Sequence, residues 1–356
     1  MKVTIVSLTE GEGRGAEVVL EQFLRGWDND EIELFVIAPE NSKISRISRD
    51  LRINSRAIAM RDSIFSYFRE IRKCIYDIPD CDLIHGWTAR TFELAYYVAR
   101  KQKAKYTCTL HDHPKAEFHR KRRHFLMKYF AQKMDALICV SNAVKKECSE
   151  LGYKVPMTAI ANGLIDTGVS ECLDGIRVGF LGMYTPWKGF AIVKRLIHET
   201  SGENIEWLLY GNVCKEIEKD AVQLQKTFPS KVKLRGYQKR EIIFNEINIL
   251  LHASTAFDPF PTTVIEAAMK GIPAIASSIG GTPEIIVQNE TGYLFDQNNP
   301  HKGLEFLRVL LHNPDLRKVM GKAARNRYEK EYTVDKMVSN YTALWRSVIS
   351  GHNLST

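Results

Sequence analysis

HASTAFDPFPTTVIEAAMKGIPAIASSIGGTPEIIVQNETGYLF, residues 252–295, is the stretch that decides the fold. Its apolar residues switch repeatedly between period two and the helical period, giving strand, loop, helix, strand, glycine turn, helix and strand in succession. Alternation of that kind builds a parallel sheet. Pro259 and Pro261 hold the first loop extended, a helix is expected over 264–270, Gly271 stops it and Pro273 opens the next strand. Asp258 and Glu266 are thereby placed at the carboxyl end of a strand, where open α/β sheets take up ligands. Gly280-Gly281-Thr282-Pro283-Glu284 makes a second strand-to-helix turn, with Thr282 expected as its cap and Pro283 at the first helical position. Backbone N–H groups at such a turn favour an anion. Two acids for hydroxyls and one nest for phosphate suggest a sugar nucleotide. Thr263-Val-Ile-Glu266 also fits a capping box worth about 0.5–2 kcal/mol, so Glu266 has a purely structural reading beside the functional one.

The rest of the chain repeats the same alternation. With 356 residues and 44% hydrophobic content it is long enough for two cored domains. Strands are expected at 3–8, 33–38, 57–60, 82–85, 106–110, 136–140 and 157–161, with helices such as 16–25, 65–76 and 91–101 between them. After a polar, non-periodic hinge at 166–175 the count restarts with strands at 177–181, 207–210, 231–234, 247–252, 272–276 and 293–295. Seven cysteines with no C-x-x-C pair read as buried thiols in a reducing compartment. The start MKVTIVSL is too short for a signal-peptide core and no apolar run is long enough to span a bilayer, so a cytoplasmic protein is expected.

Net charge is +8, and residues 100–128 carry ten Lys or Arg against Asp112 and Glu117. Within that region residues 115–128, KAEFHRKRRHFLMK, interleave bases with apolar residues; a solvated helix face and a peripheral contact with anionic membrane are the two readings. Nucleic acid is disfavoured, because no DNA- or RNA-binding motif accompanies the charge. The first turn satisfies the dinucleotide fingerprint as Gly11-x-Gly13-x-x-Ala16, with Glu40 as a ribose acid, which makes an NAD-dependent oxidoreductase a competing reading. His111 ends a strand. His111-Asp-His113 lacks further ligands at sensible spacing, and Asp28-Asn-Asp30 and Asp80-Cys-Asp82 precede strands, so no metal site is assigned. Lys188, in the loop 182–189 before a helix, opposes the helix dipole, and a diphosphate would explain it.

Taken together, these residues resemble the retaining GT-B glycosyltransferases of family 4. That family has an acid, seven residues and a glutamate, then an EA helix, an apolar strand, a GG-x-PE turn and a TG-x-L strand, and each is present here in order from Asp258 to Leu294. The resemblance implies two Rossmann-like doubly wound parallel-sheet domains facing across a cleft: residues 1–168 on the acceptor side, 169–333 binding the nucleotide sugar, and a helix at 334–356 crossing back. It implies a metal-independent, retaining transfer from a UDP- or GDP-sugar to a glycan or lipid-linked acceptor in cell-surface polysaccharide or lipopolysaccharide synthesis. Glu266 would bind ribose hydroxyls, Asp258 and His111 the donor sugar, and Lys188 the diphosphate. The turns at Gly13-Arg14-Gly15, Thr262-Thr263 and Gly280-Gly281 would supply N–H donors, and Gly236-Tyr237 would read the base. Met183 stands where the family has an arginine, and Arg14 is the candidate replacement. An epimerase of the same fold and a non-catalytic sugar-nucleotide-binding subunit are the alternatives.

Overall fold

The computed structural model describes residues 1–9, 15–59, 76, 78–115, 121–170 and 175–351, with the backbone alone for 121–123. All but Tyr76 of the expected helix at 65–76, and residues 10–14 of the first glycine turn, therefore lie outside the described residues. The chain divides into two compact units, Met1–Ile165 with Thr333–Thr356, and Asp166–Tyr332.

The N-terminal unit holds strands β1 (Lys2–Val6), β2 (Glu33–Pro39), β3 (Asn54–Ile58), β4 (Leu83–Gly86), β5 (Lys105–Leu110), β6 (Ala136–Cys139) and β7 (Met157–Ala159). They form one sheet in the order β3-β2-β1-β4-β5-β6-β7, and every pairing is parallel. The C-terminal unit holds β8 (Arg177–Leu181), β9 (Glu206–Tyr210), β10 (Val232–Gly236), β11 (Ile249–His252), β12 (Ala274–Ser277) and β13 (Gly292–Phe295), in the order β10-β9-β8-β11-β12-β13. All thirteen strands read from the sequence are present with ends shifted by three residues or fewer. Four of them, β4, β6, β11 and β12, are buried at every position, as helices on both faces of a parallel sheet require.

Strand order reverses between β1 and β4 in one unit and between β8 and β11 in the other. Ligands of doubly wound sheets bind beside the carboxyl ends of the strands at such reversals, which directs attention to the loops after β1, β4, β8 and β11. The last helix, Val334–Ser350, belongs to the N-terminal unit and sends Tyr341 and Trp345 into its core, both with 1% exposure or less. Tyr341 meets Phe23 at 5.3 Å and stacks on Trp87 at 5.4 Å, while Trp345 meets His85 at 5.4 Å.

Candidate active site

In the C-terminal unit the loops after β8 and β11 touch. The turn Pro186–Lys188 ends at Gly189, whose φ of 78° and position against Ala253 admit no side chain: a Cβ there would lie 1.7 Å from the Ala253 carbonyl oxygen. That approach carries Lys188 to Asp258, with Nζ donating to Oδ2 at 2.8 Å. His252, the last residue of β11, places Nε2 3.4 Å from the same oxygen, and the Ser254 hydroxyl lies 3.2 Å from Nε2 and 3.4 Å from Oδ2. Burial opposes ionisation of Asp258, but the hydrogen bond from His252 and the Lys188 ammonium outweigh it and hold the carboxyl below its ordinary range. Burial keeps His252 neutral by pushing its pKa down.

The following helix runs Thr262–Met269, two residues earlier than expected, because Pro261 serves as its N-cap through the backbone, with no side-chain cap. The capping-box reading of Glu266 is thereby corrected: Thr263 is inside the helix, and Glu266 is a buried residue of its second turn, 5% exposed. Arg240 Nη1 approaches Glu266 Oε2 at 3.1 Å in an orientation that makes no hydrogen bond. Burial raises the Glu266 carboxyl, Arg240 opposes the shift and Glu241 adds to it. Thr262 and Thr263 occupy the first turn, where amides have no intrahelical acceptor.

The glycine turn after β12 braces the acid loop. Gly280, at φ 59°, would place a Cβ 2.0 Å from the Asp258 carbonyl oxygen, and the Gly281 N–H donates to that oxygen at 2.9 Å. The short helix is Thr282–Ile285 with Gly281 as its cap and no side-chain bond, which corrects the expected Thr282 cap by one position. Gly236 ends β10 at φ 62° and Tyr237 beside it is 81% exposed. Met183 is exposed to solvent.

In the N-terminal unit, His111 follows β5 and packs its ring on Trp87, centroids 5.4 Å apart. Its Nε2 is buried without a hydrogen-bond partner, and burial drives its pKa down to about 3, so the ring is neutral. The Trp87 indole N–H donates to the carbonyl of Ala16 at 2.8 Å, in the helix that opens at Gly15. Behind it His85 Nδ1 meets Thr107 at 2.9 Å and Nε2 meets Thr109 at 3.0 Å, and Thr109 bonds the Tyr341 hydroxyl at 2.8 Å. His113 is committed to Glu147, 2.7 Å away. Gly13 and Arg14 lie outside the described residues.

Sequence reasoning missed His252, Ser254, Arg240 and Trp87. For His252 a signal exists, a polar residue closing the apolar run ILLH. Arg240 gives none, because its meeting with Glu266 is made by tertiary packing.

The family model described as "Glycosyltransferase Family 4" matches residues 13–167, and that described as "Glycosyl transferases group 1" matches residues 173–327. An uncharacterized glycosyltransferase of Methanocaldococcus jannaschii is 26% identical over 214 residues, 60% of each chain. Trehalose synthase of Pyrococcus horikoshii is 27% identical over 177 residues, 46% of this chain and 42% of the relative. The chain thus spans 60% or less of the length of these two curated relatives. Among solved structures, Anabaena HepE in complex with UDP superposes with a TM-score of 0.86 at 16% identity, covering 98% of this chain and 100% of that one. The apo form of the lipopolysaccharide outer core galactosyltransferase WaaB gives 0.75 at 16% identity over 99% and 100%.

Proposed function

The chain belongs to the group 1 glycosyltransferases of the GT-B fold, and from that premise we propose that it moves a sugar, with retention, from a nucleoside-diphosphate sugar to a glycan or lipid-linked acceptor of a cell-surface polysaccharide. The observation that carries this reading is the ion pair of Lys188 with buried Asp258 at the β8/β11 reversal, with a second buried acid, Glu266, on the helix that follows. Lys188 is bonded to Asp258, and Glu266 stands one helix turn beyond the Thr262–Thr263 amides. Glu266 accepts the ribose hydroxyls, with Arg240 holding its charge, and Asp258 accepts hydroxyls of the donor sugar. As the diphosphate enters, Lys188 passes from Asp258 to the phosphates. In the N-terminal unit His111 keeps a neutral ring with an unpartnered Nε2, a hydrogen-bonding group available to a substrate.

The sugar–phosphate bond breaks as the acceptor oxygen attacks the same face. The pair of electrons leaves with the diphosphate, whose oxygen takes the acceptor proton. Fixed cations and amides directed at that departing charge are the strongest lever such a site has. In this reading they suffice without a metal, and Gly280–Gly281 acts by fixing the acid loop. UDP is the first nucleotide to try, since the solved HepE structure holds UDP.

Calorimetric titration with UDP, GDP, ADP and NAD, with and without EDTA, tests the proposal. Binding of a nucleoside diphosphate that survives EDTA, and its weakening by roughly tenfold or more in Glu266→Ala but not in Thr263→Ala, is expected for loss of a charged hydrogen-bond acceptor. Binding of NAD alone would overturn it.

A further inference from the structure

The N-terminal unit carries a face that the sugar-transfer reading does not use. Among its described residues the large apolar side chains left more than a third exposed are Tyr76 (63%), Tyr97 (41%), Phe125 (68%), Leu126 (38%) and Tyr129 (46%). They gather around one pair of helices. Helix Lys121–Ala131 already fills the core with Met127, Phe130 and Ala131. Phe125, Leu126 and Tyr129 therefore form a second, outward apolar side that stays exposed among the described residues. Tyr97 joins it from the neighbouring helix Phe92–Gln102: its ring meets Phe130 at 6.1 Å, and Phe130 meets Tyr129 at 5.3 Å. Lys101 lies 4.9 Å over the Tyr76 ring and Lys133 5.4 Å over that of Tyr129, so the ridge is rimmed by ammonium groups. The helix 121–131 has the sequence KRRHFLMKYFA, four bases and no acid. The carboxylate felt by Tyr97 is the half-buried Glu93.

An apolar ridge this exposed is a contact surface. Its make-up, tyrosines with a wet hydroxyl around a projecting phenylalanine and leucine, with a cationic rim, matches the headgroup layer of a bilayer. We propose that this face docks the protein on an anionic lipid surface, with Phe125, Leu126 and Tyr129 entering the interface and Lys101 and Lys133 facing lipid headgroups. No helix among the described residues is long and apolar enough to cross a membrane, so the attachment is peripheral and salt-sensitive. It deepens the lipid-linked acceptor reading by naming the surface on which that acceptor is met.

Co-sedimentation of the full chain with phosphatidylcholine vesicles, with and without phosphatidylglycerol, tests it and needs no sugar substrate, so its outcome is separate from that of the nucleotide titration. Recovery with the anionic vesicles and loss at high salt are expected. Phe125→Ser with Tyr129→Ser should lower partitioning by about tenfold or more. Each of Lys101→Gln and Lys133→Gln should lower it by about fivefold. Val319→Ser, an equally exposed apolar site of the other unit, should change nothing. Circular dichroism and melting establish that each variant is folded. The proposal is overturned if the parent stays in the supernatant with anionic vesicles or if the ridge variants bind as the parent does. It is equally overturned if light scattering shows a dimer that the same substitutions dissociate, which would give the face to a second copy.

Discussion

Lys188 and Asp258 neutralise one another before any donor arrives. Removing the cation leaves a 7%-exposed carboxylate with only neutral partners, so Lys188→Ala should cost about 3 kcal/mol of stability besides weakening nucleotide binding; chemical denaturation reads the first and calorimetry the second. Glu266 works in the opposite direction. Burial raises its carboxyl, so the folded protein keeps that proton to a higher pH than the unfolded chain does. Stability falls as pH rises from the ordinary glutamate value of about 4.3 through the raised folded one, and stays lower above it. Glu266→Gln should accordingly melt higher than the parent at pH 8, lose that advantage near pH 4, and fail to bind the donor. A variant less stable than the parent at pH 8 would show that Arg240 compensates the buried charge fully. Both acids were legible in the sequence, because loop prolines and a glycine stop set them at a strand end. Their partners were not, since His252, Ser254 and Arg240 reach them through neighbours in space.

At the scale of the element, the decisive feature is the contact of the Pro186–Lys188 turn with the chain after β11. A methyl group on Gly189 meets a carbonyl oxygen at 1.7 Å in a left-handed backbone. Gly189→Ala should therefore move the whole turn, costing more than 1 kcal/mol and detaching Lys188 from Asp258, with loss of nucleotide affinity comparable to that of Lys188→Ala. Retention of parental affinity in a folded Gly189→Ala protein would remove the turn from the site. Strands were readable because a doubly covered sheet demands continuous apolar runs such as ILLH and ALIC. The start of Thr262–Met269 was misjudged because Pro261 caps through its backbone, which leaves no side-chain signature. The glycine pair at 280–281 was recognised as a turn, but that it braces the Asp258 loop depends on a contact that no local pattern encodes.

The N-terminal unit is held together by buried aromatic and polar groups of long sequence reach. Trp345→Ala should destabilise the N-terminal unit by about 3–5 kcal/mol, visible as a lowered melting transition, since its ring joins the last helix to a core shared with residues far upstream such as Phe23 and Trp87. His85 gives that unit a pH limit. Burial, and after it the neighbouring His111, lowers its pKa to about 3. Between there and the ordinary value near 6.5 the unfolded chain binds the extra proton, so the contribution of His85 is complete above pH 6.5 and is lost toward pH 3 at about 1.4 kcal/mol per pH unit. Unfolding measured from pH 7 to pH 4 should show a shallower acid dependence in His85→Asn than in the parent; equal slopes would contradict the assignment.

The bond between Val334 N–H and the Leu164 carbonyl closes the N-terminal unit around a gap of more than 160 residues of chain. During synthesis, residues 1–165 leave the ribosome first, yet Tyr341 and Trp345 leave only after the whole of Asp166–Tyr332. The segment Asp166–Tyr332 has its full sheet while the earlier-made half still lacks its central aromatic plug. The N-terminal unit should therefore complete its core after the C-terminal one, and chaperone dependence should fall on the half that was made first.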